Sequence, residues 1–266
     1  MPDDQQLSLV DYELKDHVVT IAMNRPEKLN AVSDEMVRQL LVAMRRFDTD
    51  PEAHVAVICG RGRAFSTGAD VLERQLRSRE EFERLGGPQG HGANAADLLT
   101  HSVNWKPVIA APHGYVMGLA LGIVLDCDLI VAEAGTRFQL TETSRGLGGS
   151  RHWAQFHFRN AGAFGDEVSL TGRWFTAEEA LAANVINRVA PRGAHMDAAY
   201  EMAAAVAANP PLSVRATVRT RRHMMAQQTR EAYFQMAPLK LYLTEDFREA
   251  ATAFKEKRKP NPFKGR

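Results

Sequence analysis

The stretch that decides the fold is Pro107–Gly135, PVIAAPHGYVMGLALGIVLDCDLIVAEAG. Val108–Ala111 is a short apolar run after a proline, which predicts a buried strand. Pro112-His113-Gly114 interrupts it, and the chain then runs through Tyr115 into an apolar helix that carries Gly118 and Gly122. Asp128–Ala132 follows as a second buried strand. Strands alternating with helices predict crossover units and a mostly parallel sheet.

The same grammar extends in both directions. Upstream, His17–Met23 (HVVTIAM) reads as a buried strand rich in β-branched residues, ended by Arg25-Pro26. Ser33 can cap a helix whose Met36, Val37, Leu40, Leu41, Met44 and Phe47 fall on one face. His54–Cys59 (HVAVIC) predicts another strand, closed by Gly60-Arg61-Gly62. Downstream, Thr136–Leu140 reads as a short strand. Thr176 and Glu179 have the spacing of a capping box. From Met196 the pattern is helical: a first helix to Ala208, a second around Ser213–Gln228 and a third from Thr244. An α/β core over residues 1–195 followed by a helical region over 196–266 is therefore expected. Leu85–Ala95 (LGGPQGHGANA) reads as a flexible loop. Its glycines do not lead from a strand into a helix, so an ordinary solvent loop is favoured over a lid, and phosphate binding is not expected.

Composition excludes several classes. The chain has 266 residues, 45% hydrophobic and 24% charged, with a net charge of +1. No overall field selects nucleic acid or an anionic membrane. No apolar run approaches the roughly 20 residues that span a bilayer. The acidic, polar N-terminus is unlike a targeting segment. Cys59 and Cys127 lie in apolar runs and are expected as buried free thiols in a reducing cytoplasm. The histidines lack metal-site spacing, so no metal is expected.

Two segments can carry chemistry. Arg63-Ala64-Phe65-Ser66-Thr67-Gly68-Ala69-Asp70 follows a strand, and its small residues let a ligand approach the main chain. The glycine-bearing helix also follows a strand, and the first N–H groups of a helix are unpaired and favour a developing negative charge. Taken singly, each segment is equally a tight turn or a closely packed helix. Taken together, they can aim two N–H donors at one oxygen, an oxyanion hole.

With Asn24-Arg25-Pro26-Glu27-Lys28-Leu29-Asn30-Ala31, these segments resemble the enoyl-CoA hydratase/isomerase, or crotonase, family. Further matches are Cys127–Ala132, Leu170–Arg173 with Ala177–Ala180, and Glu245–Glu249 through Lys257–Pro260, so the resemblance covers nearly the whole chain. It implies a crotonase-like spiral of ββα turns with a helical C-terminal part that builds trimers, or a dimer of trimers. It also implies an acyl-CoA thioester as substrate, with coenzyme A part of that substrate and no separate cofactor. Carried over by position, Ser66 N–H and Leu119 N–H form the oxyanion hole. Ala64, Ser66, Ala69, Asp70 and Val71 line the adenine and pantetheine path, with Gly118 and Gly122 on the glycine helix. Arg25, Lys28 and Leu29 lie near the CoA nucleotide, and Phe254 and Lys257 match tail residues that can touch the CoA of a neighbouring subunit.

The chain departs from the family where protons move. Hydratases of this family carry two glutamates, and the corresponding positions here are Gly122 and Glu142. The usual proline before the second is Thr141, and Gly146–Trp153 (GLGGSRHW) replaces the usual run after it. Water addition to an enoyl thioester divides comfortably between two carboxylates. One carboxylate suffices to move a proton between two carbons of an enolate. Gly122 is expected to leave space that a branched or cyclic acyl group could use. Arg151 and His152 are either auxiliary polar groups of the pocket or residues of an exposed helix start, with a satisfied, partly buried imidazole as a further alternative for His152. Three readings follow: hydration or isomerisation with Glu142 as acid/base; C–C hydrolysis or lysis of a bulky CoA thioester; or an inactive CoA- or RNA-binding protein. The only basic patches for RNA are Arg215, Arg219, Arg221 and Arg222 with the tail from Lys255, and a charged helix face or a CoA-phosphate contact explains them more simply.

Overall fold

The computed structural model describes residues 7–88, 98–99 and 102–266. The Leu85–Ala95 loop lies largely outside the described residues. The chain opens with β1 (Val10–Lys15), β2 (Val18–Met23), α1 (Asp34–Thr49) and β3 (Val55–Gly60). Two short helices follow, α2 (Val71–Arg74) and α3 (Arg79–Leu85), then β4 (Val108–Ala110), β5 (Tyr115–Met117), α4 (Leu119–Asp126), β6 (Leu129–Glu133) and β7 (Arg137–Gln139). The next elements are α5 (Ser150–Phe158), α6 (Gly162–Thr171), β8 (Trp174–Thr176), α7 (Ala177–Ala182) and β9 (Arg188–Ala190). Three helices close the chain: α8 (His195–Ala207), α9 (Pro211–Met236) and α10 (Glu245–Lys255).

The strands form a six-stranded sheet in the order β1-β2-β3-β4-β6-β9 and a three-stranded sheet in the order β5-β7-β8. In the larger sheet only β1 is antiparallel to its neighbour. Alternation along β3 explains how both faces are covered. Ala56 and Ile58 join the core beneath α1 and α4, while Val55, Val57 and Cys59 face Ala199 and Ala203 of α8. Burial pushes the Cys59 thiol up to about 11, so it is a packing residue rather than a nucleophile.

Local chemistry sets the helix starts. Ser33 accepts from Met36 N at 3.1 Å to cap α1, and Thr176 with Glu179 forms a full capping box at α7. β1, β5, β8 and β9 are not anticipated from sequence. The last three have three residues each, too few for a periodicity to register. α8 starts at His195, covers one face of the sheet and shares its core. No helix is long and apolar enough to cross a membrane among the described residues.

The long α9 is tied to the sheet by a buried ion pair. The Asp128 carboxylate accepts from Val108 N at 2.9 Å, Arg222 Nε at 3.1 Å and Arg221 Nη1 at 3.2 Å. Arg222 is 4% exposed and also donates to Lys106 O. Removing the carboxylate alone leaves a buried guanidinium without its counter-charge. Asp128→Ala should therefore cost about 3–5 kcal/mol, read as a shift of the urea unfolding midpoint.

Candidate active site

The loop after β3 is built by a scaffold laid down earlier in the chain. Asn30, fully buried, donates through Nδ2 to Arg61 O and Ala64 O at 2.9 Å each, and its Oδ1 accepts from Arg25 N at 2.8 Å. Arg25 Nη1 donates to Asp70 Oδ2 at 2.9 Å and to Ala31 O at 3.1 Å. Thr67 N donates to Leu29 O at 3.1 Å. Arg25, Leu29 and Asp70 thus shape the loop, and Asp70 also accepts from Glu73 N to cap α2, which starts at Val71. Lys28 is exposed, and Ala64 is buried beneath the loop.

The amide expected from Ser66 is spent inside the fold. Ser66 N donates to Tyr115 O at 3.1 Å and Ser66 O accepts from Met117 N at 3.2 Å, a parallel bridge to Val116. The hydroxyl donates to Asn30 O at 2.7 Å and accepts from Gly68 N at 3.1 Å. Ser66 is wholly buried with its polar groups paired, so it is not an oxyanion donor.

A free amide on this loop lies three residues on. Val32 N bonds Gly68 O and Asp70 N bonds Val32 O, so the backbone groups of Ala69 point away from this bridge. Ala69 N–H has no hydrogen-bond partner among the described residues. The same holds for Leu119 N–H, the first amide of α4. The two are brought together at Gly68, which has φ +83°. A Cβ there would fall 2.5 Å from Met117 O and 3.5 Å from Leu119 N. Only glycine lets the loop press so closely against the head of α4.

Glu142 sits at the same place. It begins a 3₁₀ turn, Thr143–Arg145, that Leu147 N ties back to Glu142 O at 2.8 Å. A Cβ on Gly118 would lie 3.2 Å from Glu142 Oε1 and 3.6 Å from Oε2. The side chain is 16% exposed, and Oε2 is buried without a hydrogen-bond partner. A carboxylate left this way has an acceptor to offer a ligand.

The space expected at Gly122 is filled. A Cβ there would meet His152 Nε2 at 3.1 Å and Arg151 Nη1 at 3.5 Å. Both residues belong to α5, which is pinned onto α4 by polar contacts that sequence reasoning missed. Gln155 Nε2 donates to Gly122 O at 3.2 Å and to Asp126 Oδ1 at 2.6 Å, and Arg151 Nη2 donates to Asp126 Oδ2 at 2.6 Å. The only signal was spacing: Gly122 and Asp126 share one face of α4, Arg151 and Gln155 one face of α5. His152 is 6% exposed, with Nε2 at 3.2 Å from Gly118 O and 3.8 Å from Glu142 Oε1.

The tail reaches this site from outside. The Arg145 guanidinium lies 4.1 Å from the ring centre of Phe254 on α10. Burial lowers the pKa of Arg145, and the Glu142 charge opposes that shift. Phe254 is half exposed and Lys257 is exposed beyond it. The basic patches are partly neutralised: Arg221 and Arg222 pair with Asp128, Arg258 with Glu249 and Glu256, and Lys264 and Arg266 with Glu245. Among the described residues no three His, Cys, Asp or Glu side chains gather as a metal site would require.

The sequence and this topology match known proteins. The family model for enoyl-CoA hydratase/isomerase covers residues 13–266. The (E)-benzylidenesuccinyl-CoA hydratase of Thauera aromatica is 33% identical over 266 residues, covering 96% of this chain and 99% of that protein. The mevalonyl-coenzyme A hydratase of Aspergillus fumigatus is 31% identical over 250 residues, covering 92% and 90%. Among solved structures, the carnitinyl-CoA hydratase of Mycobacterium avium superposes with a TM-score of 0.80 at 28% identity, covering 98% of this chain and 100% of that one. The chain is an enzyme of the enoyl-CoA hydratase/isomerase family.

Proposed function

We propose that the protein hydrates or isomerises an enoyl-CoA thioester, with Ala69 N–H and Leu119 N–H holding the thioester oxygen and Glu142 moving the proton. The observation that carries this reading is the unpartnered carboxylate oxygen of Glu142 at the head of α4, beside two unpartnered amides. Polarising the thioester carbonyl lowers the energy of the enolate formed when a nucleophile adds at the β-carbon or a proton leaves the γ-carbon. Backbone donors are fixed before the substrate arrives, so no reorganisation is needed as charge develops. Coenzyme A enters as part of the substrate, along the loop carrying Ala64, Ala69, Asp70 and Val71.

In the C–C hydrolase reading Arg151 is tied to Asp126, which leaves His152 as the group of that cluster able to hold water. The RNA-binding reading loses part of its basic surface, because Arg221, Arg222 and Arg258 pair with carboxylates. Relatives named for benzylidenesuccinyl-CoA and mevalonyl-CoA make large acyl groups the first to screen. Leu212, Met224, Tyr233 and Phe234 are exposed on α9, a surface suited to self-association as a homo-trimer or a dimer of trimers.

A panel of enoyl-CoA esters followed by mass spectrometry tests the activity. Glu142→Gln should lower kcat on the best substrate roughly 10²–10⁴-fold while leaving CoA-ester affinity nearly unchanged; undiminished turnover would remove Glu142 from the mechanism. Gly68→Ala should lower kcat on every ester about 10²–10³-fold, because the added Cβ pushes the loop off α4 and splits the donor pair. Steady-state kinetics on the same panel measures both.

A further inference from the structure

Water addition asks more of the site than enolate formation does, because a water must be held at the β-carbon while its proton departs. His152 meets that requirement from an element that carries neither the amides nor the carboxylate. Its imidazole is buried, and Nε2 faces two acceptors: Gly118 O at 3.2 Å and Glu142 Oε1 at 3.8 Å. Two acceptors put the hydrogen on Nε2. At 3.8 Å the Nε2–H and the carboxylate are too far apart to bond each other. One oxygen can sit at about 2.8–3.0 Å from both. The ring occupies the space that any side chain on Gly122 would take, and Gln155 and Arg151 anchor α5 to Asp126 so that the ring stays there.

We propose that His152 is the water-holding residue of the hydration reaction. This rests on the reading of Glu142 given above and extends it. In the reaction the Nε2–H exchanges its 3.2 Å bond to Gly118 O for one to the water oxygen, while that water donates to Glu142. The oxygen bonds to the β-carbon, its O–H bond breaks toward Glu142, and the C=C electron pair moves into the thioester to form the enolate. Protonated Glu142 then gives the same proton to the α-carbon. Glu142 returns to its ionised form, His152 keeps its own proton throughout, and the net change is addition of H and OH. In the reverse direction the Nε2–H stabilises the departing oxygen.

The test separates holding water from forming the enolate. The two readouts are hydration of the enoyl-CoA that the wild type turns over fastest, and exchange of the α-hydrogens of butyryl-CoA in D₂O, which needs the amides and Glu142 but no bound nucleophile. His152→Leu, which keeps the bulk and removes the donor, should slow hydration roughly 10²-fold while exchange stays within about threefold. His152→Gln, which keeps an N–H donor, should remain within about tenfold of wild type in both. Equal losses of hydration and exchange in His152→Leu would mean that the ring only packs, and unchanged hydration would overturn the proposal outright. A wild type that exchanges butyryl-CoA but hydrates no ester would also overturn it, while leaving the enolate reading standing. Glu142→Gln distinguishes the two levels, since retained exchange there counts against Glu142 and not against His152.

Discussion

The site depends on one close approach, the loop after β3 pressed against the head of α4. Gly68 makes it possible, because a side chain at φ +83° would run into Met117 O. The parallel bridge between Ser66 and Val116 holds it in register, using the Ser66 amide as a structural bond. The separate bridge to Val32 turns the Ala69 amide outward and leaves it free, and Leu119 N–H, at the start of an apolar helix, lies against Gly68 next to it in the chain. The helix has no side-chain N-cap to compete for its first amide. Without the approach there would be two ordinary unpaired amides, one in a loop and one at a helix start, each free to find water.

Everything else in the first half of the chain fixes that geometry. Asn30 ties three main-chain groups together from a position with no solvent exposure. The Arg25–Asp70 pair closes the loop from its far side and caps α2 with the same carboxylate. These are buried polar contacts with partners at both ends, which define a single arrangement rather than adding much net stability. The buried Asp128–Arg222 pair plays the corresponding part for α9.

Much of this was legible in the sequence, and the losses have a common cause. Local signals read correctly: the Ser33 cap, the Thr176–Glu179 box and the buried strands β2, β3, β4 and β6 follow from side chains within a few residues. Glu142 and Leu119 were reached through the family pattern and lie together at the head of α4. Ser66 was misassigned because the amide a loop has left over depends on the strand it bridges, and Val116 is remote in sequence. β1, β5, β8 and β9 escaped because edge and three-residue strands carry little periodicity. The space inferred at Gly122 was an error of the same kind. A missing side chain says what its own element lacks, not what a neighbouring helix supplies.

The two halves of the chemistry consequently have different sequence requirements. Oxyanion donors made of main chain need only small residues and a bridge, so Leu119 can stand at the helix start without disturbing the amide it carries. Proton transfer needs side-chain atoms at fixed points, and those points can be reached from more than one element. Here the face of α4 opposite Glu142 carries glycine, and the imidazole that occupies the space comes from α5. The substitution is coupled in both directions. Nε2 lies 3.1 Å from where a Cβ on Gly122 would stand, so a side chain at 122 and the ring of His152 compete for the same volume. On the proposed reading Gly122 acts through what it admits, since its absent side chain is the condition for His152 to face the carboxylate.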